Sequence, residues 1–242
     1  GRIGEPALSA EPHLQKLLDD KDWGVREAAV RACGQIGMSG EQVLSHTILL
    51  LNDDRGSVRR AAAQAVGMHG KKAIRGARAL VLLLEDKYQA VQLAAATSLG
   101  QLGSQAAEVV PDIIPLLSSD HPHTRESAIS ALGTIGPSAH DAAPALTSLM
   151  QVTGGETAQL AATALTKMGA SLGEHIPLLT RHLKSERKDL QLLTIRTLCE
   201  IGKYSEEARQ SLQGCLGDSD RTIVEAARQS LERIQRLTGA TS

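Results

Sequence analysis

Glycine recurs in this chain on a fixed step. Gly37, Gly70, Gly103, Gly136, Gly169 and Gly202 follow one another at intervals of 33 residues, and no insertion interrupts them. A second column, Gly34, Gly67, Gly100 and Gly133, keeps the same step. Gly1 and Gly4 extend the two columns backwards, with Ile3 in the column of Ile36, Ile135 and Ile201. A period of this size, held without slippage, marks a tandem array in which each unit is one supersecondary element. Such units bury their apolar faces against each other, so the chain must stack. Residues 1–4 then read as the tail of a preceding unit, and the units run 5–37, 38–70, 71–103, 104–136, 137–169, 170–202 and 203–242. The expectation is one continuous array cut from a longer one just inside a repeat boundary.

Within a unit the apolar residues follow a helical period. Val25, Ala29, Ala32, Cys33 and Ile36 lie on one stripe of a helix, and the stripe returns in every copy. One column reads Val25, Val58, Val91, Thr124, Thr157, Leu190 and Ile223; another reads Cys33, Val66, Leu99, Leu132, Leu165, Leu198 and Leu231. Ahead of this helix a shorter one starts, as at Pro12, Leu14, Leu17 and Leu18, at Pro111, Ile113, Leu116 and Leu117, and at Pro144, Leu146, Leu149 and Met150. Proline suits a helix's first turn and glycine suits its stop, so each unit reads as a helical hairpin and the glycines as helix stops. The column Ala29, Ala62, Ala95, Ala128, Ala161, Thr194 and Ala227 stays small, as close-packed helices require. These observations predict an all-α chain, a right-handed α-α superhelix (α-solenoid) of about seven hairpins. At the C-terminal end Arg228 replaces an apolar column, Gln235 stands where glycine stood, and Glu232 and Arg233 add charge, which reads as a polar capping helix.

Composition narrows the rest. The 242 residues contain no Phe, and Trp23, Tyr88 and Tyr204 are the only aromatics, so the core must be aliphatic. A net charge of -1 argues against a nucleic-acid face, which carries a basic excess. The longest apolar run, Ala79 to Leu84, ends at Glu85, far short of the ~18 residues of a membrane span. Three scattered cysteines do not form a disulfide framework, and they fit a reducing compartment such as the cytoplasm better than an oxidising one.

A 33-residue step also fits ankyrin, but the ankyrin "TPLHxA" element is absent, and the tetratricopeptide pattern needs aromatic positions this chain does not fill. Asp20, Val25-Arg26-Glu27-Ala28-Ala29 and Gly34-Gln35-Ile36-Gly37 instead resemble the short HEAT repeat of the phycobilin-lyase group of HEAT-like proteins. The resemblance covers essentially the whole chain. It implies a ladder between neighbouring repeats, an aspartate in each turn facing an arginine of the next helix. The matching aspartates are Asp20, Asp53, Asp86 and Asp218, and the arginines are Arg26, Arg59 and Arg125. The ladder is incomplete: Ser119, Val152 and Ser185 interrupt one column, and Gln92, Ala158, Gln191 and Val224 the other. Repeat five has a "QVTGGE" turn at Gln151 to Glu156 without an aspartate, and the array is expected to be softest at about 153–158.

No constellation of residues points to catalysis, a metal or a cofactor. The pairs Asp19-Asp20, Asp53-Asp54 and Glu85-Asp86 recur on the repeat step and read as helix caps rather than paired acids. His121 and His123 have a spacing that can bind metal, but no further ligand lies near them in sequence. His69 and His182 occupy columns otherwise filled by Ile or Leu and read as buried neutral histidines bonded to backbone groups. HEAT-like deoxyhypusine hydroxylases bind iron through His-Glu dipeptides, and none occurs here. Cys33, Cys199 and Cys215 read as packing residues.

What remains is surface. The resemblance places the second helices on the concave side, where two columns face away from the core. They read Glu27, Arg60, Leu93, Glu126, Gln159, Leu192 and Glu225, then Arg31, Gln64, Thr97, Ser130, Thr163, Arg196 and Gln229. Their chemistry changes from repeat to repeat, and Leu93 and Leu192 stand out as apolar residues in otherwise polar company. Arg60, Gln64, Leu93, Thr97, Glu126, Ser130, Gln159, Thr163, Leu192 and Arg196 are therefore the expected partner-binding residues. Trp23 and Tyr88, in the turns, form a second expected contact edge. The expected function is a monomeric, non-catalytic scaffold that is part of a larger protein and binds a protein partner. The alternatives are an accessory domain of a bilin lyase and a purely structural arm with a solvated face.

Overall fold

The periodic stripes become helices where they were expected. The computed structural model describes residues 11–36 and 41–239, and the chain falls into two compact units, 1–135 and 136–242. The opening "GRIG", Gly37 and the side chains of Pro12 and Ile36 lie outside the described residues. The first unit holds α1 (Glu11–Leu18), α2 (Trp23–Ile36), α3 (Glu41–Leu49), α4 (Gly56–Met68), α5 (Ala77–Leu82), α6 (Gln89–Leu102), α7 (Val110–Ile113) and α8 (Pro122–Ile135). The second holds α9 (Ala143–Val152), α10 (Gly155–Met168), α11 (Ile176–Arg181), α12 (Lys188–Gly202), α13 (Glu206–Gly214) and α14 (Arg221–Thr238). Even-numbered helices are the long second members of the hairpins. In the first unit α2 packs on α4, α4 on α6 and α6 on α8; in the second α10 packs on α12 and α12 on α14.

The core is aliphatic throughout. Val58, Val91, Val66, Leu99 and Leu132 are buried in the first unit, and Leu165, Leu198, Leu190 and Ile223 in the second. The small column, Ala62, Ala95 and Ala128, has no exposed surface at all, which lets the long helices approach closely. On α14, Arg228 and Glu232 point to solvent while Ile223, Ala227 and Ile234 are buried.

The two glycine columns do different work, and the reading of all of them as stops needs correcting. Gly70, Gly103, Gly136 and Gly169 follow their helices with φ of 54°, 58°, 72° and 58°, the left-handed region that only glycine enters without strain. Gly67, Gly100 and, from the first column, Gly202 lie within helices instead. A Cβ on Gly100 would sit 2.4 Å from Thr134 Cβ, and one on Gly67 would sit 2.8 Å from Ser98 Oγ. They are absent side chains at points of close helix contact. The stops themselves lead into 3-10 segments of seven residues, Gly70–Gly76, Gly103–Val109, Gly136–Ala142 and Gly169–His175, before each short helix begins. Proline then occupies the first turn of α7, α9 and α11.

The turns carry the arginine ladder. Arg26 Nε donates to Asp53 Oδ2 at 2.7 Å and its Nη2 to Asp53 Oδ1 at 3.0 Å, while Nη1 donates to the Asp20 carbonyl at 2.8 Å. Arg59 repeats the pattern on Asp86, at 2.6 and 3.0 Å, and on the Asp53 carbonyl at 2.7 Å. Each arginine thus ties its own turn and the next one. Gln92, in the arginine column, keeps the bond to its own turn, at 2.7 Å to the Asp86 carbonyl, and has no carboxylate to reach. The ladder aspartates do not cap helices as expected. Their carboxylates accept turn amides two residues on, from Asp22, Arg55, Tyr88 and Asp220 at 2.8 to 2.9 Å. Side-chain caps of helices do occur, from Ser205 on α13 and Asp220 on α14.

Candidate functional site

Residues spaced by four on a helix share a face, so Arg60, Gln64 and Met68 on α4 form one file and Leu93, Thr97 and Gln101 on α6 form the next. These six residues, with Ala90, Ala94 and Ser98, line one groove in the first unit. Leu93 is 61% exposed and Met68 60%, although both are large apolar side chains. Arg60 has no hydrogen bond or ion pair among the described residues. Glu126 and Ser130 of α8 are half-buried and outside this groove; Glu126 faces His123 at 3.3 Å. The structure therefore brings together Arg60, Gln64, Leu93 and Thr97 but not the α8 pair.

In the second unit, all four expected residues meet. Gln159 and Thr163 of α10, Leu192 and Arg196 of α12, and Gln229 and Arg233 of α14 line a second groove. Arg196 has no hydrogen bond or ion pair among the described residues, whereas neighbouring Glu200 holds Arg233 at 2.6 Å. Leu192 departs from the expectation of an exposed group: it is half-buried, because the groove itself shelters it.

Met68, Gln101 and Glu200 belong to these grooves without having been expected there. They sit one further turn along the same files, so continuing the four-residue step would have found them. Trp23 and Tyr88 do line one cleft, together with Arg55, Gly56, Ser57, Arg60, Ala90 and Val91. Trp23 is 45% exposed and Tyr88 50%. The Tyr88 ring lies over Gly56, where a Cβ would come within 2.4 Å of Cδ2, and the Lys87 ammonium stands 5.2 Å from the ring centroid.

The residues considered for chemistry are dispersed. His121 and His123 are exposed, and among the described residues no three His, Cys, Asp or Glu side chains converge to hold a metal. His69 is only half-buried. His182 is buried, but its Nδ1 has no hydrogen-bond partner, so the expected backbone bond is not made there. Burial, and then the Arg187 charge, push its pKa down. Burial raises the thiol pKa values of Cys199 and Cys215, whose sulfurs donate to the carbonyls of Ser230 and Ser211. Among the described residues no helix is long and apolar enough to cross a membrane.

Paired helices stacked on a 33-residue step, with grooves along the long members, define an α-solenoid repeat protein. A model of HEAT repeats matches residues 1–74 and 77–165, and the chain belongs to that family. Among solved structures, one engineered protein is 24% identical over 92% of this chain and 67% of its own, with a TM-score of 0.53. A second engineered protein is 23% identical over 93% of this chain and 96% of its own, with a TM-score of 0.51. The complex of CpcE and CpcF of phycocyanin lyase from Nostoc sp. PCC7120 is 23% identical over 97% of this chain and 96% of its own, also with a TM-score of 0.51. At these identities the likeness shows the shared fold. No curated protein matches the sequence.

Proposed function

We propose that the chain is a non-catalytic HEAT-repeat scaffold whose long-helix faces bind a protein partner. One observation carries this reading: each unit sets a leucine in a solvent-reached groove beside an arginine that holds no carboxylate among the described residues, Leu93 with Arg60 and Leu192 with Arg196. Arg26, Arg59 and Arg187, in the turns, hold carboxylates instead. Exposed leucines occur elsewhere too, as at Leu49 and Leu82. What favours an interface in the grooves is the leucine and the arginine together, because apolar anchors and arginines at the centre of a contact carry most of its binding energy.

The test is quantitative affinity capture with the wild-type chain, Leu93→Glu and Leu192→Glu, each checked for helicity by circular dichroism. A specific protein retained by the wild type and lost with either variant is the expected result. Equal capture by all three would overturn the reading.

A further inference from the structure

The groove on α4 and α6 and the cleft at the turns share two residues, Arg60 and Ala90, which line both. Together they form a continuous strip on the first unit, running from Trp23 and Tyr88 through Arg60 to Leu93 and Met68. The strip has a defined chemistry. Its lining contains two arginines, Arg55 and Arg60, and no carboxylate. Arg55 stands 3.7 Å from exposed Asp54, outside the lining, and Arg60 has no partner among the described residues. Lys87 stands beside the same end, over the Tyr88 ring. Gly56 lets the Tyr88 ring pack directly on the backbone, where it occupies the space a Cβ would take, and Trp23 lines the same cleft.

We propose that this strip binds an acidic, proline-bearing extended segment of a partner protein, with the proline against Trp23 and Tyr88 and a carboxylate on Arg60. The inference rests on the scaffold reading above and specifies its ligand. Aromatic clefts accept proline rings because a polyproline-like segment loses little entropy on docking and presents a flat apolar face. The positive charges exclude a cationic occupant and favour carboxylates, which a guanidinium holds by two parallel bonds. Aromatic rings beside arginines also suit single-stranded nucleic acid. A net charge of -1 for the whole chain supplies no basic track to carry a phosphate backbone, so an acidic peptide is favoured.

The chain carries its own probe, since Trp23 is its only tryptophan. The whole protein is titrated with three capped peptides that lack aromatic residues, EEEDPLDEEE, EEEDGGDEEE and KKKKPLKKKK, and with an oligothymidylate followed by anisotropy of its label. Expected is a saturable change in Trp23 emission with the acidic proline peptide. Binding should be weaker by about fivefold or more for the glycine peptide and by about tenfold in Arg60→Glu, as for a central charged contact, and should weaken with added salt. Tyr88→Ala should weaken it comparably. Tyr88 is exposed and Arg60 half-buried, and circular dichroism checks that each variant folds. No saturable response, an equal response to the lysine peptide, or unchanged affinity in Arg60→Glu overturns the proposal. Preferential binding of the oligonucleotide overturns it in favour of a nucleic-acid site. If partner capture depends on Leu93 while Trp23 stays silent to the peptide, this inference fails and the scaffold reading stands. If Arg60-dependent peptide binding persists while partner capture ignores Leu93 and Leu192, the reading of the grooves fails instead.

Discussion

The guanidinium of Arg26 holds the carboxylate of Asp53, 27 residues away and one repeat along, by two bonds of 2.7 and 3.0 Å, with only 5% of the Asp53 side chain exposed. Burial works to raise the Asp53 pKa, but the hydrogen bonds from Arg26 and from the Arg55 amide outweigh it and hold the carboxyl below its ordinary 3.8. A carboxyl with a depressed pKa stabilises the fold above its unfolded pKa and loses that stabilisation as pH falls through the folded value. The urea midpoint should therefore drop on acidification below about pH 4, and Asp53→Asn should show a shallower drop. Parallel profiles for the two proteins would contradict the assignment.

Arg59 performs two tasks, and its replacements should separate them. Arg59→Ala removes both the bonds to Asp86 and the bond to the Asp53 carbonyl, and should cost about 2–4 kcal/mol in denaturant unfolding. Arg59→Gln should lose less, because Gln92 shows that glutamine in this column still reaches its own turn. Equal losses would mean that the carbonyl bond contributes nothing.

Close helix contact predicts opposite faults at neighbouring positions. Gly100→Ala introduces a methyl 2.4 Å from Thr134 Cβ and should destabilise by about 1–3 kcal/mol through overpacking. Leu132→Ala empties a fully buried site and should cost about 2–5 kcal/mol. Thermal melts that shift for neither would remove the packing basis of the first unit.

His182 should be a liability of the fold. Its column holds leucine at Leu50, Leu83, Leu116 and Leu149, and here a buried imidazole leaves Nδ1 unpartnered. Its pKa lies below the ordinary 6.5, so the unfolded chain takes up a proton more readily and stability declines as pH falls below that value. His182→Leu should stabilise by about 1–2 kcal/mol, by more at pH 5 than at pH 8. A destabilised variant, or a gain independent of pH, would refute this.

The turn of repeat five has no ladder aspartate, yet it is not left open. Arg187 reaches back to donate to the carbonyls of Gln151 and Thr153, each at 2.8 Å. Amides at 153–158 should still exchange faster than those of the ladder turn at 53–58, and Arg187→Ala should quicken them further. Uniform protection of both turns would contradict it.

Much of this was legible in the residues because the repeat step averages over local ambiguity. Seven copies of Val25 and Cys33 columns define a buried stripe that one copy would not. The ladder of Arg26 and Arg59 was legible for the same reason. The role of Gly67 and Gly100 was not, since a glycine near a helix end reads as a stop whether it supplies positive φ or only the absence of a methyl. The seven-residue 3-10 segments escaped because their side chains have no period to distinguish them from a short helix. Arg187 lies outside the ladder column, and only the fold shows it serving the turn of the preceding repeat. Of the expected binding residues, Leu93 is as exposed as its column implied, while Leu192 is sheltered by walls whose width no single column specifies.

The most direct measurement places a photo-crosslinking residue at Gln64 and at Gln159, one in each groove, and at Leu82, which is 73% exposed on a short helix. A scaffold that binds through its long-helix faces should yield a partner adduct from Gln64 or Gln159 and none from Leu82. Adducts confined to Leu82, or equal from all three positions, would contradict it.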